Sequence, residues 1–262
     1  MKHRFILFSM TRTGSSMVSA RLSQHPEIVC YPAVFSPKGF PTLGGESAEV
    51  ADANGHAARL SRMDPVWGDA EARAERYQDF LDDLELVSPE PVMGIKHHLG
   101  MDLTEQLIAQ PGPKIVLTRK NLLAAFSSGR LAKALGIGAA RPGDTIPDAK
   151  VRFDPEAFDT WSRRRSRRFG RWREQIEATG DPVLELDYTA ARTEAGVAAM
   201  CQFLGKEPAA GEWPTLKRHG SRTVDRFENP DDVLAHLKAI GQEDWAEEAD
   251  TAPPALPLTP AA

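Results

Sequence analysis

Three short groups of residues have the types and spacings that chemistry needs, and each follows an apolar run. The first is Arg12-Thr13-Gly14-Ser15-Ser16, just beyond Arg4-Phe5-Ile6-Leu7-Phe8-Ser9. A strand that passes through a small, hydroxyl-rich turn into a helix makes an anion cradle. The first helix amides lack backbone partners and sit at the positive end of the helix dipole. Gly14 lets the backbone approach a ligand closely, and Arg12 adds a fixed positive charge. A nucleoside triphosphatase loop would read G-x-x-x-x-G-K-[ST], and no such string occurs. The expected ligand is therefore phosphate-like, but not ATP held in the usual way.

The second group follows Val116-Leu117-Thr118: Arg119 ends the apolar run, Asn121 is placed to cap the next helix, and Ser127 stands eight residues beyond the arginine. At about 1.5 Å per residue, Ser127 sits roughly 9 Å into that helix, within range of an anion gripped by a long arginine side chain. A surface arginine beside an unrelated helical serine is an equally simple reading. The third group is Gly94-Ile95-Lys96-His97-His98-Leu99-Gly100, a strand whose carboxyl edge carries a lysine and two histidines. Ligands of open α/β sheets bind at that edge. An imidazole with an ordinary pKa of about 6.5 can take a proton from a hydroxyl near neutral pH. Alternation puts Lys96 and His98 on one side of the strand and His97 on the other. Further ligands at metal-binding spacing are not evident, so no metal is expected.

These groups must be positioned by a larger frame. Short Val-, Ile- and Leu-rich runs at Arg4–Ser9, Val92–Lys96, Lys114–Thr118 and Pro182–Leu186 read as buried parallel strands. Helices are expected at Ser15–Gln24, Ala70–Leu84, Leu122–Leu135, Pro155–Thr179 and Glu194–Leu204. The fold class is α/β: a three-layer, P-loop-like domain with a central, mostly parallel sheet flanked by helices. At 262 residues, one domain over 1–250 with a disordered Pro- and Ala-rich tail at 251–262 accounts for the chain. Irregular stretches at roughly Ser36–His56 and Gly136–Val151 are candidate lids over an acceptor pocket.

Composition narrows the function classes. A net charge of −5 argues against general nucleic-acid binding. Cys30 and Cys201 are the only cysteines and suggest neither a disulfide framework nor a zinc site, which fits a reducing cytoplasm. Phe5–Phe8 is far too short for a signal sequence, and no segment approaches a membrane span. The arginine-dense stretch from Arg163 to Arg173 is interleaved with Trp161, Phe169 and Trp172, which fall near one helical face and dock the helix while most arginines face solvent. Recognition of an anionic acceptor or a partner is the other use for that stretch. Asp82, Asp83 and Glu85 read as a solvated helix face.

The three groups, in this order, resemble the sulfotransferases that use 3′-phosphoadenosine 5′-phosphosulfate (PAPS), nearest the bacterial carbohydrate and small-molecule branch. In that family the first loop reads [KR]-[ST]-G-[ST]-[ST] and holds the phosphosulfate; Arg12-Thr13-Gly14-Ser15-Ser16 matches it. An arginine followed by a serine eight positions later binds the 3′-phosphate there, as Arg119 and Ser127 are spaced here. Lys96-His97-His98-Leu99 matches four positions of K-x-H-L-P, with Gly100 replacing the proline. Weaker similarities extend the resemblance over about residues 4 to 230. Leu184-Glu185-Leu186-Asp187-Tyr188 looks like the strand whose tyrosine lies near adenine, and Cys201-Gln202-Phe203-Leu204-Gly205 like a C-E-F-L-G helix end. Leu216-Lys217-Arg218-His219-Gly220-Ser221-Arg222 stands where relatives close a basic loop over the 3′-phosphate, with Lys217, Arg218 and Arg222 all open as the contact. Met17 replaces the aromatic that many relatives stack on adenine.

The resemblance implies transfer of a sulfuryl group from PAPS, the cosubstrate, to a hydroxyl of a carbohydrate or other small molecule, without a metal. His98 would be the general base, Arg12 and Lys96 would act on the transferring group, and Ser15 and Ser16 would anchor the phosphosulfate. Relatives are often dimers, so a homodimer is the corresponding expectation. The competing readings are a nucleotide-dependent kinase using the same loop, and an adenosine bisphosphate-binding protein without turnover.

Overall fold

Five short strands, all parallel, form one sheet in the computed structural model of the protein, which describes residues 3–35, 56–136, 147–213 and 222–248. They are β1 (His3–Ser9), β2 (Ile28–Pro32), β3 (Val92–His98), β4 (Lys114–Thr118) and β5 (Val183–Asp187), in the order β2-β3-β1-β4-β5. The expected strands are all present within two residues at either end. β2 was not anticipated, because its run of five residues ends in Pro32. It lies at the sheet edge, paired only with β3, where a residue without an N–H can be tolerated.

Strand alternation sends neighbouring side chains into two cores. Ile6, Phe8, Tyr31, Met93 and Ile95 pack with Phe80, Leu84, Trp172 and Ile176 on one face. Phe5, Leu7, Cys30, Ile115 and Leu186 pack with Met17, Val18, Val197 and Met200 on the other. Burial on both faces makes the strands near-continuous apolar runs, which is why they were legible. At Gly94 the Phe5 ring lies where a side chain would begin: an added Cβ would meet it at 2.2 Å.

The described helices are α1 (Ser15–Leu22), α2 (His56–Met63), α3 (Ala70–Glu75), α4 (Tyr77–Val87), α5 (Thr104–Ile108), α6 (Leu122–Leu135), α7 (Pro155–Glu177), α8 (Tyr188–Ala191), α9 (Glu194–Phe203) and α10 (Pro230–Ala239). α6 begins where Asn121 was expected to cap it: the side chain accepts from Ala124 N at 2.8 Å. Pro155 opens α7 behind an Asp154 cap, a favourable start because a first-turn N–H has no helical partner. The single helix expected over 70–84 is two. Arg76 leaves helical geometry between α3 and α4, its guanidinium lying 4.7 Å from the Trp67 ring centroid and bonding to Asp64 and Asp79. Leu123, Phe126, Phe158, Phe227 and Val233 form a third core that ties α6 and α7 to α10.

β1 lies between β3 and β4, so connections from the carboxyl end of the sheet diverge to either side of it. Ser9, the last residue of β1, is level with His98 of β3 and Leu117 of β4. The carboxyl ends of these strands form the edge at which open α/β sheets bind ligands. Among the described residues, no helix is long and apolar enough to cross a membrane. The tail at 251–262 and the loop containing Lys217 and Arg218 lie outside the described residues, as do most of the two irregular stretches.

Candidate functional site

The turn between β1 and α1 is held in an unusual backbone conformation. Gly14, the N-cap of α1, has φ 76°, and Arg12 has φ 66°, rare for a residue with a side chain. Strain of this kind persists where surrounding structure holds it, typically at binding and catalytic sites. Thr13 Oγ1 donates to Met10 O at 2.8 Å and so closes the turn from inside. No side chain caps the start of α1, and no acidic residue stands in its first turn. The leading amides of α1, with Ser15 and Ser16, are thus arranged for an anion. Gly14 is required twice, since the Tyr188 ring would also lie 2.7 Å from an added Cβ.

Lys96 and His98 reach the same edge from β3. Lys96 is 5% exposed and donates from Nζ to Ser16 Oγ at 2.9 Å, joining the strand to the turn. Burial draws its pKa down to about 8, so it remains mostly cationic at neutral pH. His98 Nδ1 lies 3.0 Å from Ser9 Oγ, and no bond to its Nε2 occurs among the described residues. Burial, then the Lys96 charge, pulls the His98 pKa down to about 4. A neutral imidazole is the form that can accept a proton. When Ser9 accepts from Nδ1–H, Nε2 carries the lone pair.

His97 is turned to the opposite side, as alternation requires. Its Nε2 is 2.9 Å from Thr104 Oγ1 and its ring meets Phe8 edge-on. Burial lowers its pKa to about 4 as well. This histidine fastens β3 to α5.

Arg12 reaches across to α6, where Nε and Nη2 donate to Ser128 Oγ at 3.0 and 2.7 Å. Its carbonyl accepts from Arg119 Nη1 at 3.0 Å, bringing the first and second residue groups together. The guanidinium of Arg119 sits 4.1 Å from the Tyr188 ring centroid, within cation–π range. Tyr188 thus lies between the turn and Arg119, at the start of α8.

Arg119 and Ser127 do not meet directly. Arg119 holds Glu248 through Nε and Nη2, while Ser127 is wholly buried and donates to Ala124 O at 3.1 Å. Arg226 links them, with Nη1 3.3 Å from Ser127 Oγ and Nη2 3.9 Å from Glu248 Oε2. Arg222, at the edge of the described residues, is exposed and forms an ion pair with Asp225 at 3.5 Å.

Sequence reasoning did not single out Ser9, Ser128, Arg165, Arg226 or Glu248. Arg165 had a signal: it falls four residues after Trp161 and seven before Trp172, on the docking face of α7. It is 8% exposed, while Arg163, Arg164, Arg167 and Arg168 are exposed. Among the described residues it makes no hydrogen bond or ion pair, and its guanidinium lies 5.2 Å from the Trp161 ring centroid. Burial, then the charge of Arg119, lowers its pKa to about 10. Its charge also acts on His98. Among the described residues, Arg119 and Arg226 pair with Glu248 while Lys96 bonds to Ser16 and Arg12 to Ser128, a gathering of positive side chains at one sheet edge that suits an anionic ligand.

Asp82 and Glu85 are not merely solvated, since both bond to Arg4, and Asp83 accepts from Trp67 Nε1 at 2.9 Å. No protein-family model matches the chain, and no curated protein does either. Among solved structures it is similar to a sulfotransferase from Alicyclobacillus acidocaldarius, with 15% identity and a TM-score of 0.43 over 92% of this chain and 96% of that one.

Proposed function

We propose that the protein transfers a sulfuryl group from PAPS to a hydroxyl of a carbohydrate or another small polar acceptor. The observation that carries this reading is the bond from Lys96 to Ser16, which joins the anion-binding turn to the strand ending in His98. Binding of phosphosulfate over the α1 amides would put the transferring group within reach of Arg12 and Lys96. The acceptor oxygen attacks sulfur as the bond to the bridging oxygen breaks, and that oxygen leaves on the 5′-phosphate of adenosine 3′,5′-bisphosphate. The acceptor proton passes to His98 Nε2, with Ser9 orienting the ring through Nδ1. A positioned base of this kind contributes about 10²- to 10⁴-fold in rate. Arg12 and the amides stabilise charge that grows on the leaving oxygen, a preorganised electrostatic effect.

Arg119 and Arg226 would read the 3′-phosphate, with Tyr188 beside the nucleotide. The test is thermal stabilisation by adenosine 3′,5′-bisphosphate against AMP, followed by transfer from labelled PAPS across a panel of hydroxyl acceptors. A shift several degrees larger for the bisphosphate is expected; equal shifts would remove the cofactor assignment. His98→Ala should abolish most transfer while leaving bisphosphate binding nearly intact.

A further inference from the structure

The outer face of α7 presents a second concentration of positive charge, distinct from the residues around the turn. Arg164, Arg167, Arg168 and Arg171 line a recess of about 570 Å³ and are all exposed. Their spacing of three, four and seven residues puts them on one face of the helix, where like charges repel and cost a few tenths of a kcal/mol per pair. Among the described residues none of the four forms an ion pair, whereas Arg173 pairs with Glu177 and Glu185 just beyond. In a chain of net charge −5 this is a local basic field, not a general one.

The recess adjoins the carboxyl end of β3. Arg168 Nη2 donates to Gly100 O at 2.7 Å, two residues past His98. Gly100 admits it: with φ 83°, an added Cβ would stand 2.2 Å from the guanidinium. Arg165, next to Arg164 in sequence, turns inward and acts on His98. Arg168 thus joins the arginine face to the chain two residues past His98.

We infer that this arginine face is a subsite for an anionic oligosaccharide, one bearing sulfate or carboxylate groups, which seats the acceptor beside His98. The inference rests on the sulfuryl-transfer reading for the acceptor role, but the binding site stands on its own geometry. Seven residues of helix span about 10 Å, the reach of two or three sugar units, and guanidinium forks match sulfate and carboxylate oxygens. Single-stranded nucleic acid is a poorer fit, because the aromatic rings of α7 that would stack bases, Trp161, Phe169 and Trp172, belong to its packed side.

The test uses the full chain and a sulfated heparin tetrasaccharide, its desulfated, N-acetylated, carboxyl-reduced counterpart and a short single-stranded oligonucleotide of equal charge, by calorimetry at 0.15 M salt. Wild-type protein should bind the sulfated sugar at least tenfold more tightly than either other probe. Arg164→Glu with Arg171→Glu should lose at least tenfold, and the paired Gln variants a smaller amount, with unchanged melting temperature. Equal binding by wild type and variants, or tighter binding of the oligonucleotide, would overturn the inference. Bisphosphate binding measured in the same samples separates the two readings: its loss in wild type, with sugar binding intact, would remove the donor assignment alone.

Discussion

Arg119 grips Glu248 with both prongs of its guanidinium, Nε to Oε1 at 2.7 Å and Nη2 to Oε2 at 2.6 Å, with both side chains almost fully buried. The same fork matches a phosphate equally well. A 3′-phosphate that uses Arg119 must therefore compete with Glu248. Asn121 holds the segment that delivers this carboxylate, donating to Trp245 O and Glu247 O.

Glu248→Gln separates competition from plain structural support. Breaking a buried pair on one side costs about 3–5 kcal/mol, because the remaining charge is left uncompensated. The unliganded melting temperature should fall, and the shift on adding adenosine 3′,5′-bisphosphate should exceed that of wild type while the AMP shift stays level. A lower melting temperature with no larger bisphosphate shift would show that Arg119 serves the fold alone.

The shifted groups of β3 set a pH profile. His98 must be neutral to accept a proton, so kcat/KM, which reports the free enzyme, should fall on the acid side only as pH approaches about 4. Lys96 must be cationic, so the alkaline limb should appear near pH 8. Both groups gain from a bound anion in the charged form, so both limbs of the kcat profile should lie higher. Lys96→Arg should move the alkaline limb beyond pH 10. A limb left at pH 8 in that variant would assign it to another group.

Stability should also depend on these histidines. His97 and His98 fold with pKa values near 4 instead of 6.5, so between those values the unfolded chain binds more protons. Stability therefore rises with pH across that window and is lost as pH falls through it. Differential scanning calorimetry should show His97→Gln with a weaker dependence between pH 6.5 and 4 than wild type. An unchanged slope would assign the effect to other groups.

Much of the frame was legible because both faces of the sheet are buried: the strands read as apolar runs, and the residue groups stand at their ends. Lys96 and His98 on one side with His97 on the other followed from strand alternation alone. What escaped depends on distant partners. Glu248 is 129 residues from Arg119 and has no local pattern around it. Ser128 faces Arg12 while its neighbour Ser127 turns inward, a distinction of one helical position that residue spacing from Arg119 does not resolve. The break at Arg76 likewise depends on Trp67 and Asp64, outside the helix it divides.

Gly14 and Tyr188 give the sharpest test of the turn. Alanine at position 14 would have to adopt a left-handed backbone, costing about 1–2 kcal/mol, and would also press on the Tyr188 ring at 2.7 Å. The ring bears on Arg119 as well, so the disturbance should reach the guanidinium. Gly14→Ala should lower the melting temperature by several degrees and weaken bisphosphate binding at least tenfold. Tyr188→Ala in the same chain removes the clash but not the backbone strain, so it should restore part of the binding lost, measured against Tyr188→Ala alone. If the double variant binds no better than the sum of the two single losses predicts, the ring is not what couples the turn to Arg119.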